Sequence, residues 1–181
     1  MIKIHLPKSN DFFDEASGEF VDLPEINVKL ENSLVAISRW ESKFHKSFFT
    51  TTAKNEAELL YFIRCMSLTD ELLDEITALR IISSQSILKE IKKYLDDPMT
   101  ATVVKKQPGG KKSSETTTSE LVYYWLVAHQ IPFSCEWWNI NRLIKLVEVC
   151  NAKNQPGKKM SKNDSMRQHK SLNAARRAKR K

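Results

Sequence analysis

Apolar positions along this chain keep two rhythms. Near the N-terminus they alternate with polar ones, and from Ser33 onward they recur at three- and four-residue intervals, so the pattern predicts a small strand region followed by a run of helices. MIKIHLP alternates and is stopped by Pro7, as befits an edge strand. SNDFFDEASGEF reads as a turn-rich loop. Phe20, Val21 and Leu23, then Ile26, Val28 and Leu30 set against Glu25, Asn27 and Lys29, predict one or two strands. The period then changes, and Leu34, Ile37, Trp40, Glu41 and Phe44 share one side of a helix that opens at Ser33. FHKSFFTT follows as a helix end with a packed loop.

The middle third reads as wholly helical. Asn55 and Glu58 have the spacing at which a side chain and a carboxylate cap a first turn, leading into Leu59, Leu60, Phe62, Ile63 and Met66. Thr69 or Ser67 is expected to open a short helix through Leu72, Leu73 and Ile76. Ser83 or Ser84 opens another, with Ile87, Leu88, Ile91, Tyr94 and Leu95 as its stripe and Pro98 as its stop. MTATVV reads as a short strand able to pair with those near the N-terminus, and KKQPGGKKSSETTT as a flexible loop with nothing to bury.

The segment Thr117–Cys150 reads as two amphipathic helices joined by a short turn, and the rest of the chain is expected to be arranged around it. Thr117 and Glu120 have capping-box spacing, which places a helix start near Thr118. Leu121, Val122, Trp125, Leu126 and Ala128 form the stripe, with Tyr124 at its edge, until Pro132 forbids further helix. Ser134 can cap a second helix whose face holds Trp137, Ile140, Leu143, Ile144, Val147 and Cys150. So short a connection makes the two helices neighbours. Trp137 and Trp138, adjacent on a helix, point about 100° apart, so one is expected in the core and the other at a boundary beside Asn141 and Arg142.

Beyond Cys150 the larger apolar side chains thin to Met160, Met166 and Leu172, too few to offset ordering entropy alone. Ser161 and Asp164 could cap a helix there, and Ala174, Ala175 and Ala178 favour one on a partner. At 181 residues, 41% apolar and 28% charged, the chain has globular composition. The fold class expected is mainly α with a small β element near the N-terminus (α+β). Residues 1–152 form the helical domain and residues 153–181 a basic tail, flexible or folded on a partner.

Charge follows the same division. Residues 153–181 hold eleven Lys or Arg against Asp164 alone, a balance of +10, which leaves −3 for residues 1–152 out of the total +7. Lys158, Lys159, Arg167, Arg176, Arg177, Lys179, Arg180 and Lys181 are the tail's candidate contacts. Such density attracts nucleic-acid phosphates, docks on an acidic face of another copy or another protein, or simply keeps the chain soluble.

Chemistry is sparse. Cys65, Cys135 and Cys150 are odd in number and share no C-x-x-C spacing, so they read as reduced thiols acting as small hydrophobes. His5, His45, His129 and His169 are scattered, no phosphate loop or nucleophile elbow is present, and Glu71, Asp74, Glu75, Asp96 and Asp97 fall at helix surfaces and ends. No enzyme activity, cofactor or metal is expected. No apolar run approaches the roughly 20 residues of a membrane span, and no signal-peptide core begins the chain, so a cytoplasmic protein is expected.

CEWWNINRLIKLVEV resembles the Trp-Trp helix near the end of the small tail assembly chaperones of tailed bacteriophages. The plan of an N-terminal strand segment with a Leu-Pro turn, a run of helices, an aromatic helix pair and a charged tail is similar too. The long basic extension and the polar Asn139 and Asn141 depart from the family pattern. The resemblance implies a non-enzymatic protein of the host-cell cytoplasm that binds tape-measure and major tail proteins. It implies that Trp137, Trp138, Arg142 and Leu143 face the partner or shape the surface that does, with Trp125 as a further candidate on the preceding helix. The alternative is a nucleic-acid-binding or structural virion protein that uses the basic tail; a second copy of the chain is a further candidate partner.

Overall fold

Strands β1 (Ile2–Leu6) and β4 (Ile26–Leu30) pair antiparallel with Ile2 opposite Leu30, Ile4 opposite Val28 and Leu6 opposite Ile26. Period two puts Ile2, Ile4, Leu6, Val28 and Leu30 on the buried face and Lys3, His5, Asn27 and Lys29 outside. The computed structural model describes residues 1–14, 18–51, 54–104, 115–154 and 162–178. Most of the expected loop KKQPGGKKSSETTT lies outside the described residues. The architecture is mainly α with a small β element. Two compact units divide the chain, Met1–Cys150 and Asn151–Lys181.

In the first unit, helix α1 (Leu34–Phe44) packs against α2 (Glu56–Cys65), α5 (Ser119–Ala128) and a 3-10 turn (Phe133–Trp137). Helices α3 (Glu75–Ser83) and α4 (Gln85–Asp96) follow α2, and α4 also meets β1. Helix α6 runs Ile140–Asn154. The second unit contains α7 (Lys162–Ala178).

Several expected starts are met by cap geometry. Ser33 Oγ accepts the Ala36 N–H, and the Asn55–Glu58 pair forms a reciprocal capping box. Others differ. The expected loop SNDFFDEASGEF instead contains β2 (Ser9–Asp14), paired with β3 (Glu19–Leu23), and Phe13 stacks edge-on against Phe20 across the pair. No helix forms over Ser67–Leu73; α3 begins later, where Asp74 Oδ1 accepts the Thr77 N–H. MTATVV is not a strand, and Val103 is largely exposed.

The aromatic hairpin is not the sole anchor. Trp40 of α1 is fully buried and donates its indole N–H to the Glu58 carbonyl at 3.0 Å. Its ring meets Phe44 and Phe48, and Phe48 in turn meets Phe62 at 4.6 Å.

Buried polar groups fix the connections. The Glu41 carboxylate accepts the Phe48 N–H at 2.7 Å and the Ser119 N–H at 2.6 Å, so one side chain of α1 satisfies the loop behind it and the first turn of α5. Glu31 accepts from the Tyr94 hydroxyl and from Asn139 Nδ2 at 3.1 Å, and it pairs with the Met1 amino group. Arg80, also buried, donates to the Pro7 and Pro24 carbonyls and ties α3 to both strand connections.

Glu41→Leu leaves two amide donors without an acceptor and is expected to cost about 2–5 kcal/mol. Urea unfolding of the full chain reads this as a lower midpoint at unchanged slope, and Glu41→Gln, which keeps one acceptor oxygen, should lose less. Glu58 gives a pH signature. The hydrogen bond from Lys46 at 2.6 Å, then the Asn55 N–H at 3.1 Å, hold its carboxyl below the ordinary value of 4.5. A lowered folded-state value stabilises fully above pH 4.5, and that contribution is lost as pH falls through the lower value. Stability measured against pH should fall in that acid window, and Glu58→Gln should flatten the fall.

Candidate functional site

Helix α5 opens at Thr118, one residue after the expected cap, where Oγ1 accepts the Leu121 N–H. It closes in a Schellman arrangement. Gln130 takes the left-handed conformation at φ 54°, its N–H reaches the Val127 carbonyl, and the Ile131 N–H reaches the Leu126 carbonyl at 2.8 Å. Ile131 is thereby buried, and Pro132 starts the 3-10 turn rather than a second α-helix.

This changes the tryptophan pair. Trp137 ends the 3-10 turn and Trp138 is extended, at φ −72° and ψ 159°, so the two do not share a helix as expected. Asn139 then caps α6. Its Oδ1 accepts the Asn141 N–H at 3.0 Å, its own carbonyl accepts the Leu143 N–H, and the Ile140 N–H reaches back to the Asn32 carbonyl at 2.7 Å. The break thus follows from backbone bridging to the segment before α1.

Trp138 keeps 36% of its surface exposed, and the Arg142 guanidinium lies 4.4 Å from its ring centroid. Trp137 is half-buried with Arg39 of α1 at 5.8 Å, and Arg39 is held by the Thr69 and Asp70 carbonyls. Trp125 is half-buried against the core. Leu143 is expected from the resemblance to face the partner or to shape the surface that does. It is fully buried, because a helix starting at Ile140 turns Ile140, Leu143 and Val147 together toward the core and leaves Arg142 exposed.

Residue patterning alone did not single out the neighbouring apolar surface. Val122 and Leu126 of α5 are buried and Leu121, Tyr123 and Trp125 half-buried, yet Tyr124 and Val127 remain 63% and 60% exposed. A helix apolar on every side is ordinarily buried on every side. Val127 neighbours both Tyr123 and Tyr124 at helical spacing, and the Tyr123 ring lies 6.2 Å from that of Phe133, itself 54% exposed. The signal was available, since almost every residue from Leu121 to Ala128 is apolar or aromatic. The Tyr123 hydroxyl donates to Glu136 at 2.9 Å; burial and then that carboxylate raise its pKa above the ordinary range, keeping it a neutral donor that pins the turn to the helix.

In the tail, Arg167, Arg176 and Arg177 are exposed on α7, whereas Lys158, Lys159, Lys179, Arg180 and Lys181 lie outside the described residues. The four histidines sit on separate elements, and among the described residues no three His, Cys, Asp or Glu side chains converge as metal ligands would. The cysteines are free thiols, and burial pushes Cys65 up to about 12. Among the described residues no helix is long and apolar enough to cross a membrane. Comparison with protein-family models, curated proteins and solved structures finds no match to this chain.

Two adjacent positions should separate core from surface. Leu143→Ala opens a cavity and is expected to cost about 2–5 kcal/mol, while Arg142→Ala, which removes one exposed cation–π interaction, should cost about 1 kcal/mol or less. Chemical denaturation of the two variants checks the contrast.

Proposed function

We propose that this protein is a tail assembly chaperone of a tailed bacteriophage, a non-enzymatic factor acting in the host cytoplasm on the tape-measure and major tail proteins. The observation that carries the reading is the outward apolar side of α5, continued by Phe133, on a helix whose other side is locked into the core. The likeness of CEWWNINRLIKLVEV to the family's Trp-Trp segment supports it.

Such a surface suits the work. A partner helix with apolar side chains at i, i+3, i+4 and i+7 can lie along Tyr124, Val127 and Phe133 and bury them. Burying a few hundred Å² at about 25 cal/mol per Å², less the cost of association, leaves weak and reversible binding. That is what a factor released during assembly requires. Because the contact face stands on a packed helix, binding needs little ordering of this chain.

The test is co-expression of the full chain with the tape-measure protein of its own phage, followed by affinity capture. The tape-measure protein should be recovered in soluble form, and the double variant Tyr124→Glu, Val127→Glu should reduce capture at least about tenfold, a loss of about 1.4 kcal/mol or more. No capture, equal capture by the double variant, or self-association through this face in its place would count against the reading.

A further inference from the structure

We infer that α7 is a binding element for duplex DNA, engaging the phosphate backbone through Arg167, Lys170, Arg176 and Arg177. All four are exposed. At 100° and 1.5 Å per residue they fall within about half of the helix circumference over about 15 Å, with Gln168, Ser171 and Leu172 on the other half. Lys170 and Arg177 point within about 20° of each other, with Arg167 about 60° to one side and Arg176 about 100° to the other, so the four cover one half of the rod.

Chemistry narrows the partner. An apolar groove on another protein needs a stripe to bury, but the exposed Met166 and Leu172 point about 120° apart. A helix embedded in a membrane interface buries an apolar face, and none is formed by these two residues. Single-stranded nucleic acid is held largely by stacking on successive aromatic rings, and residues 153–181 contain one ring that could serve, His169. What remains is charge. An α-helix about 10–12 Å across matches the roughly 12 Å major groove, where a row of cations meets the phosphate walls. With eleven Lys or Arg against Asp164 alone in residues 153–181, a balance of +10 favours that attraction. This inference does not depend on the chaperone reading, which concerns the first unit.

The experiment uses the full chain and a 30-base-pair duplex of arbitrary sequence (about three helical turns), titrated by mobility shift at several salt concentrations between about 50 and 200 mM. Retardation should weaken steeply with salt. The variant Arg167→Gln, Lys170→Gln, Arg176→Gln, Arg177→Gln should bind at least about tenfold more weakly at the lowest salt, with a salt slope shallower by about 0.9 for each phosphate no longer neutralised. Glutamine keeps helix propensity, and circular dichroism checks that helix content is unchanged. Changing the three arginines to lysine keeps the charge and should retain most of the affinity. The inference is overturned by absence of binding at the lowest salt, by unchanged affinity of the four-site glutamine variant, or by loss of binding in the lysine variant. It is equally overturned by tighter binding of single-stranded RNA of the same length, or by polyglutamate competing as well as duplex DNA at equal charge.

Discussion

The buried carboxylate of Glu41 is the constraint on which the first unit most depends. It sits one residue from Trp40 on the central helix, and its two oxygens receive backbone donors from the loop at Phe48 and from Ser119, 78 positions away. An N-terminal turn exposes donors that cannot be satisfied from within the helix, so an acceptor fixed in the core sets both the position and the direction of α5. Trp40 reinforces the same point of the fold, because its indole N–H ends on the Glu58 carbonyl while its ring fills the space between α1 and the Phe48 loop. Helix α1 therefore organises the unit, and the aromatic hairpin is placed by it.

A second polar hub governs the far end of that hairpin. Glu31, Tyr94 and Asn139 bring together the segment before α1, the end of α4 and the start of α6. Burial, then the hydrogen bond to Glu31, push the Tyr94 hydroxyl above its ordinary pKa, so it remains a donor. Asn139 belongs to this cluster, and its backbone bridges to Ser33; the chain cannot continue as helix from Glu136 through Asn139 and still make those bonds. The interruption at Trp138 lifts one indole to the surface under Arg142 and leaves the other against α1.

Local signals were the legible part. Ser33, Asn55 with Glu58, and the alternation in Ile2–Leu6 and Ile26–Leu30 act through neighbours in sequence, so spacing alone reveals them. The β2–β3 pair was hidden because Ser9, Asn10, Asp11 and Asp14 are turn-forming types, although the pairing partner lies only a short loop away. Long-range polar contacts such as Glu41 with Ser119 leave no trace in periodicity. At the candidate surface, Arg142 and Trp138 are exposed and Leu143 is buried, since one residue of helical phase decides between core and solvent. The pattern places Tyr124 only at the edge of the α5 stripe and Val127 not at all, for a related reason: a helix apolar nearly all round gives a weak phase.

Helix α1 holds α5 in place before any partner arrives, so that its outer side is presented ready-made. Amide hydrogen exchange of the full chain alone tests this most directly, read over residues 117–129 and compared with α1. The Ser119 and Val122 amides should exchange as slowly as those of Ile37 and Trp40. Exchange of residues 117–122 at rates typical of an unstructured peptide would contradict it, for the contact surface would then have to form on binding.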